Sequence, residues 1–178
     1  MPAEIPTNSP EKKETLDDNA RKFILEGIDP KLLDENNASS FSLIIDWLET
    51  DNDNDNETKV AYKEFDNGDV QILLITKTTT DGNRTSIKEK ITKEEYEQLV
   101  VSSVLHLEKK RYEFTYAQGS VVFSVKYDEF TDGELCMLEV DASSEEERRS
   151  FSPGEFPSKL VEVTGDTQYY GYRIAEII

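Results

Sequence analysis

Residues 105–142, LHLEKKRYEFTYAQGSVVFSVKYDEFTDGELCMLEVDA, decide the fold class. The run breaks at Gln118-Gly119 and at Asp132-Gly133, leaving three segments dense in β-formers with a turn residue at each join. Strands joined this tightly are antiparallel neighbours. Side chains alternate along a strand, so Leu107, Lys109, Arg111 and Glu113 share one face while His106, Glu108, Lys110 and Tyr112 share the other. In the third segment Leu135, Met137, Glu139 and Asp141 oppose Cys136, Leu138 and Val140. Two like-charged pairs, Lys109 with Arg111 and Glu139 with Asp141, are thereby aimed together.

Upstream, RKFILEG is a short apolar segment, and Asp29 before Pro30 caps a helical turn in DPKLLDEN. SFSLIIDWLE reads as a strand. KVAYKEF and VQILLITK flank Asp66-Asn67-Gly68-Asp69, a hairpin signal, and Asp81-Gly82-Asn83 leads into RTSIKEKI. TKEEYEQLVVSS reads as a helix, because Thr92 and Glu95 form a capping box and Tyr96, Leu99 and Val100 make an apolar face. Downstream, residues 143–149 open a short helix with serines, and residues 165–175 suit another. The pattern predicts an α+β fold: an eight-stranded, mostly antiparallel sheet closed into a β-barrel, with short peripheral helices. Residues 1–18, polar and with three prolines, are expected to be a flexible leader, and 19–178 a single domain.

The chain has 178 residues, enough for one ordinary core, and its 38 acidic against 20 basic residues give a net charge of −18. A broad basic surface for a nucleic-acid backbone is excluded by that balance. Any bound anion has to find a local cationic pocket. The lone Cys136 forms no internal disulfide, and no apolar run approaches bilayer-spanning length, so a soluble cytoplasmic protein is expected, with no membrane partner. It would be a monomer or homodimer.

Lys109 and Arg111, joined by Lys63, Lys77 and Arg84 from other strands, would line a barrel interior with fixed cations. Guanidinium forks and lysine point charges match phosphate oxygens. Glu139 and Asp141 suit Mg²⁺ or Mn²⁺, hard cations that bridge polyphosphates to carboxylates. Solvent-facing charges paired across strands are the competing reading.

The segments EKKRYEF, VKYDEF, ELCMLEVDASSEEE and EVTGDTQYYGYRIA resemble, in order and spacing, the CYTH-like or triphosphate tunnel metalloenzyme superfamily. The matching positions are Lys109 and Arg111, Asp128, Glu139 and Asp141, and Glu162-Val163-Thr164 with Asp166 and Tyr169. The N-terminal half matches more loosely, through RKFIL, a strand before Glu49, Lys77 and Arg84. Where the family has an early glutamate-x-glutamate-x-lysine, this chain has Asp18, Ala20 and Lys22; where a carboxylate pair follows the arginine, it has Ser86 and Lys88.

The resemblance implies a tunnel in which Lys77, Arg84, Lys109 and Arg111 hold a triphosphate, either inorganic or on a small molecule, and the strand pattern adds Lys63 to them. Glu139 and Asp141 would hold the metal, Asp128 would add a ligand or orient the attacking water, and Lys22 would assist catalysis at the entrance. The implied reaction is metal-dependent phosphoanhydride hydrolysis. The departures at Ala20, Ser86 and Lys88 fall on metal ligands, which keeps a non-catalytic binding or scaffold protein in play. Adenylyl cyclase activity on ATP is a third reading.

Four further signals have simpler explanations. Residues 51–57 alternate Asp53, Asp55 and Glu57, with Glu64 at the twelfth place from Asp53, as in a calcium loop, but Thr58 replaces the turn glycine and a solvated loop is expected. His106 lies opposite Lys109 and Arg111. Trp47 is expected in the core with its N–H paired, and Cys136 is expected as a buried apolar side chain.

Overall fold

The structure is a computed structural model that describes residues 13–15, 19–51, 56–131 and 134–177. The elements in chain order are β1 (Lys13–Thr15), β2 (Arg21–Leu25), α1 (Pro30–Glu35), β3 (Ser39–Asp51), β4 (Asn56–Phe65), β5 (Val70–Thr80) and β6 (Asn83–Lys90). Then follow α2 (Lys93–Leu99), β7 (Leu105–Gln118), β8 (Val121–Phe130), β9 (Cys136–Asp141), α3 (Glu145–Ser150), β10 (Val161–Glu162) and α4 (Gly171–Ile177). The expected caps are in place: Asp29 accepts from the Lys31 N–H, Thr92 from that of Glu95, and Ser144 from that of Glu147. At the β5–β6 turn Asp81 and Gly82 have φ of 52° and 79°, the left-handed pair that a tight hairpin with the twist of its strands requires. The Asp132-Gly133 turn, and Asp53 and Asp55, lie outside the described residues.

All the strand pairs are antiparallel, and the described strands form one sheet in the order β1-β6-β5-β4-β3-β7-β8-β9-β2-β10. The expected eight-stranded closed barrel is corrected on two points. Ten strands are present among the described residues, and no ladder joins the two ends of their order. The physical reason is that short strands occupy both edges: β1 pairs with β6, and β10 pairs with β2. Each edge is covered without closure. β1 also falls within the stretch expected to be a flexible leader, with Lys13 opposite Lys88 and Thr15 opposite Ser86.

The sheet is curled, so that one face of β2 through β9 lines a common cavity. Phe41, Leu43, Ile45 and Trp47 of β3 pack on that side with Leu107, Phe130, Met137 and with Tyr172, Ile174 and Ala175 of α4. On the opposite face of β2, β7, β8 and β9, Phe23, Phe114, Phe123, Val125, Leu138 and Val140 pack against Leu32 of α1 and against Phe151 and Phe156. Full burial of one such side chain contributes about 1.5–3 kcal/mol. This half of the sheet is thus clamped from both sides. Cys136 is only partly buried, because the outer row of β9 ends there, and its Sγ lies 3.9 Å from the Glu26 carbonyl oxygen. No helix among the described residues is long and apolar enough to cross a membrane.

Candidate functional site

The strand period of two builds the site. β4 aims Glu57, Lys59, Ala61 and Lys63 into the cavity, β6 aims Arg84, Ser86 and Lys88, and β7 aims Lys109 and Arg111. Ser124, Lys126 and Asp128 follow from β8, Glu139 and Asp141 from β9, Lys22 from β2 and Lys77 from β5. The cavity measures about 420 Å³. Its wall carries nine lysines and arginines against four carboxylates, a formal excess of five positive charges in a chain whose total is −18. All nine site residues expected from sequence reach this one space.

Asp128 organises the floor. Arg111 lies opposite it in the β7–β8 register. The Arg111 Nε and Nη2 donate to its Oδ1 and Oδ2 at 2.7 and 2.8 Å, and the Lys109 Nζ donates to Oδ2 at 2.8 Å. Burial alone would raise the Asp128 carboxyl, but Arg111 and Lys109 outweigh it and hold the group well below the usual carboxylate range. Burial pulls the Lys109 ammonium down to about 8 in spite of Asp128.

A second ion cluster sits on β4. Glu57, only 4% exposed, accepts from the Lys59 Nζ at 2.7 Å and from the Trp47 indole N–H at 3.2 Å, and Arg84 Nη2 lies 3.6 Å away. Burial raises the Glu57 carboxyl, yet Lys59, Lys77 and Arg84 hold it down at about 2. Burial lowers Lys59 to about 7. The Arg84 guanidinium stacks over Tyr170 with its carbon 4.5 Å from the ring centre, while its buried Nε has no hydrogen-bond acceptor. Lys22 also faces the Tyr170 ring, at 5.1 Å.

Around Lys88 the field is of its own sign. Burial and the charges of Lys126, Lys63, Lys77 and Arg111 together bring its ammonium down to about 8. Burial likewise lowers Lys63, with Glu113 opposing.

The carboxylates do not fit a divalent metal centre. Glu139 stands in register between Lys22 of β2 and Lys126 of β8, and those cations, with Arg111, keep its carboxyl low against the effect of burial. Asp141 is half exposed, accepts from the Ala142 N–H at 2.8 Å and lies 3.5 Å from the Arg148 Nε. Both Asp128 oxygens are engaged by Lys109 and Arg111. No group of three His, Cys, Asp or Glu side chains comes together among the described residues.

Sequence reasoning missed Glu57, Lys59 and Lys126. Glu57 was expected in a solvated acidic loop, but it is the second residue of β4 and belongs to the row Glu57, Lys59, Ala61, Lys63. That i, i+2 row was the available signal, as was Ser124, Lys126, Asp128 in β8. His106 is outside the cavity, with Nδ1 2.8 Å from Asp46 Oδ1 and Nε2 3.1 Å from Glu108 Oε1.

Among solved structures, the chain is similar to a crystal structure of the inorganic triphosphatase NE1496, with a TM-score of 0.60 and 21% identity over 88% of this chain and 95% of that one. A second structure, described as the hypothetical protein NE1496, matches with the same TM-score and identity over 92% and 97%. These likenesses establish a shared fold. No family model and no curated protein matches the chain.

Proposed function

We propose that the cavity binds inorganic triphosphate or a small molecule bearing a triphosphate. The observation that carries this reading is the excess of five positive charges on the cavity wall, in a protein that is otherwise strongly acidic. Two like charges about 6 Å apart at an effective dielectric near 20 repel by roughly 3 kcal/mol, so such a wall is held together against its own field. A polyanion relieves that repulsion along its whole length. Arg84 and Arg111 present guanidinium donors, and Lys63, Lys77 and Lys88 supply point charges. Asp128 acts as a positioning residue, fixing Lys109 and Arg111 so that few rotamers are lost when the ligand arrives.

Phosphoanhydride hydrolysis is a second reading, favoured by the fold shared with an inorganic triphosphatase. Isothermal calorimetry with inorganic tripolyphosphate, ATP and thiamine triphosphate tests the binding. At least one should bind with an affinity that Lys109→Met and Arg111→Met each reduce about tenfold or more, as loss of a charge-assisted hydrogen bond requires. Absence of binding by all three would refute the reading. Phosphate release from a bound ligand would establish the hydrolytic one.

A further inference from the structure

We propose that the cavity takes a polyphosphate as the free anion, with Lys88, Lys126 and Lys22 supplying the positive charge that a divalent ion would otherwise bring. This rests on the reading of the cavity as a triphosphate site. It concerns the form in which the ligand enters.

Four observations carry it. Glu139 is bracketed in register by Lys22 on one side and Lys126 on the other, and these cations, with Arg111, offset its charge before any ion arrives. Asp141 is turned toward the Ala142 amide and Arg148 at the rim. Asp128 has given both oxygens to Lys109 and Arg111. Lys88 is enclosed among Lys126, Lys63, Lys77 and Arg111, and these charges act on it with its own sign.

A divalent ion at this wall would meet a lysine or arginine on β2, β4, β5, β6, β7 and β8, and each lysine within about 6 Å would oppose it by a few kcal/mol. A polyphosphate that surrenders part of its charge to a metal also leaves more of the lysine repulsion uncompensated. The free anion matches the wall better on both counts. In this arrangement Lys88 does for the ligand oxygens what a metal would do, as a fixed charge that needs no carboxylate cage.

The test is calorimetry of the full chain with inorganic tripolyphosphate in two arms, one containing EDTA and one containing saturating Mg²⁺. Binding should occur with EDTA and weaken about tenfold or more with Mg²⁺, which ties up the ligand in a complex the cavity rejects. Affinities within about threefold of each other, or higher with Mg²⁺, overturn the inference while leaving the binding function standing. Failure to bind in both arms overturns the inference for inorganic tripolyphosphate, and overturns the function itself if ATP and thiamine triphosphate fail to bind as well. Lys88→Glu should shift the preference toward the Mg²⁺ arm by about tenfold, and Lys88→Gln should weaken the EDTA arm without that shift. Thermal melts of both variants report whether they fold. An unaltered ratio in folded Lys88→Glu removes Lys88 from the proposal.

Discussion

Asp128 shows how much of this site depends on single atoms. Its carboxylate is 3% exposed, and its two oxygens receive three hydrogen bonds from Lys109 and Arg111. Its pKa is depressed in the folded chain. Its contribution to stability is therefore complete above the unfolded aspartate pKa and is lost as pH falls toward the folded value. Asp128→Asn keeps the shape but leaves two buried cations without a counter-charge, and it should cost about 3–5 kcal/mol at neutral pH. Urea denaturation measures this, and a loss below about 1 kcal/mol would show that water reaches the pair and screens it. At this scale the sequence was legible where charge and spacing coincided, as in Lys109 with Arg111. It was misleading at Glu57, whose acidic neighbours suggested solvent while its own side chain lies beside Trp47, Lys59 and Arg84.

The elements followed from the hydrophobic alternation and the turn residues, and the β7–β8–β9 meander was legible because its side chains must alternate whatever lies around them. The joins were harder. The fate of residues 165–175 depended on what they pack against, and they divide into a 3₁₀ turn, Thr167–Tyr169, and the helix α4. The helix seats on the concave side of β3. A Cβ added at Gly171 would lie 3.1 Å from Trp47 Cζ2, inside ordinary contact distance. Gly171→Val should displace α4 from Trp47, cost about 1–3 kcal/mol by overpacking, and alter the tryptophan emission. Unchanged thermal stability and emission would mean that α4 is not held by this contact. The number of strands was not legible either, because β1 and β10 are too short to show a pattern and exist only by pairing with β6 and β2.

At the scale of the whole molecule, two opposite fields coexist, an acidic exterior and a cationic interior. Burial holds Lys59 near 7, and burial with the surrounding cations holds Lys88 near 8, so both are partly neutral in the free protein at mildly alkaline pH. A bound polyanion favours their charged forms. Binding should therefore take up protons, and affinity should fall as pH rises from about 7 to 9. It should also fall with salt, whose screening length shrinks to about 8 Å at physiological ionic strength. Calorimetry in two buffers of different ionisation enthalpy reads the uptake directly. No proton uptake beyond what the ligand's own terminal phosphate accounts for, with an affinity constant over that pH range, would show that the lysines are fully charged before the ligand arrives.

The sequence by itself determined the antiparallel strands, the row of side chains each one presents and the net charge of −18. These depend on local steric alternation, turn chemistry and composition, which need no long-range contact. The tertiary structure alone decided that rows from eight strands face one cavity, that Glu139 stands between Lys22 and Lys126, and that short edge strands leave the sheet's hydrogen-bonded order open. Those are consequences of register and curvature, set by packing between residues far apart in the chain, and charge acts through space rather than along sequence.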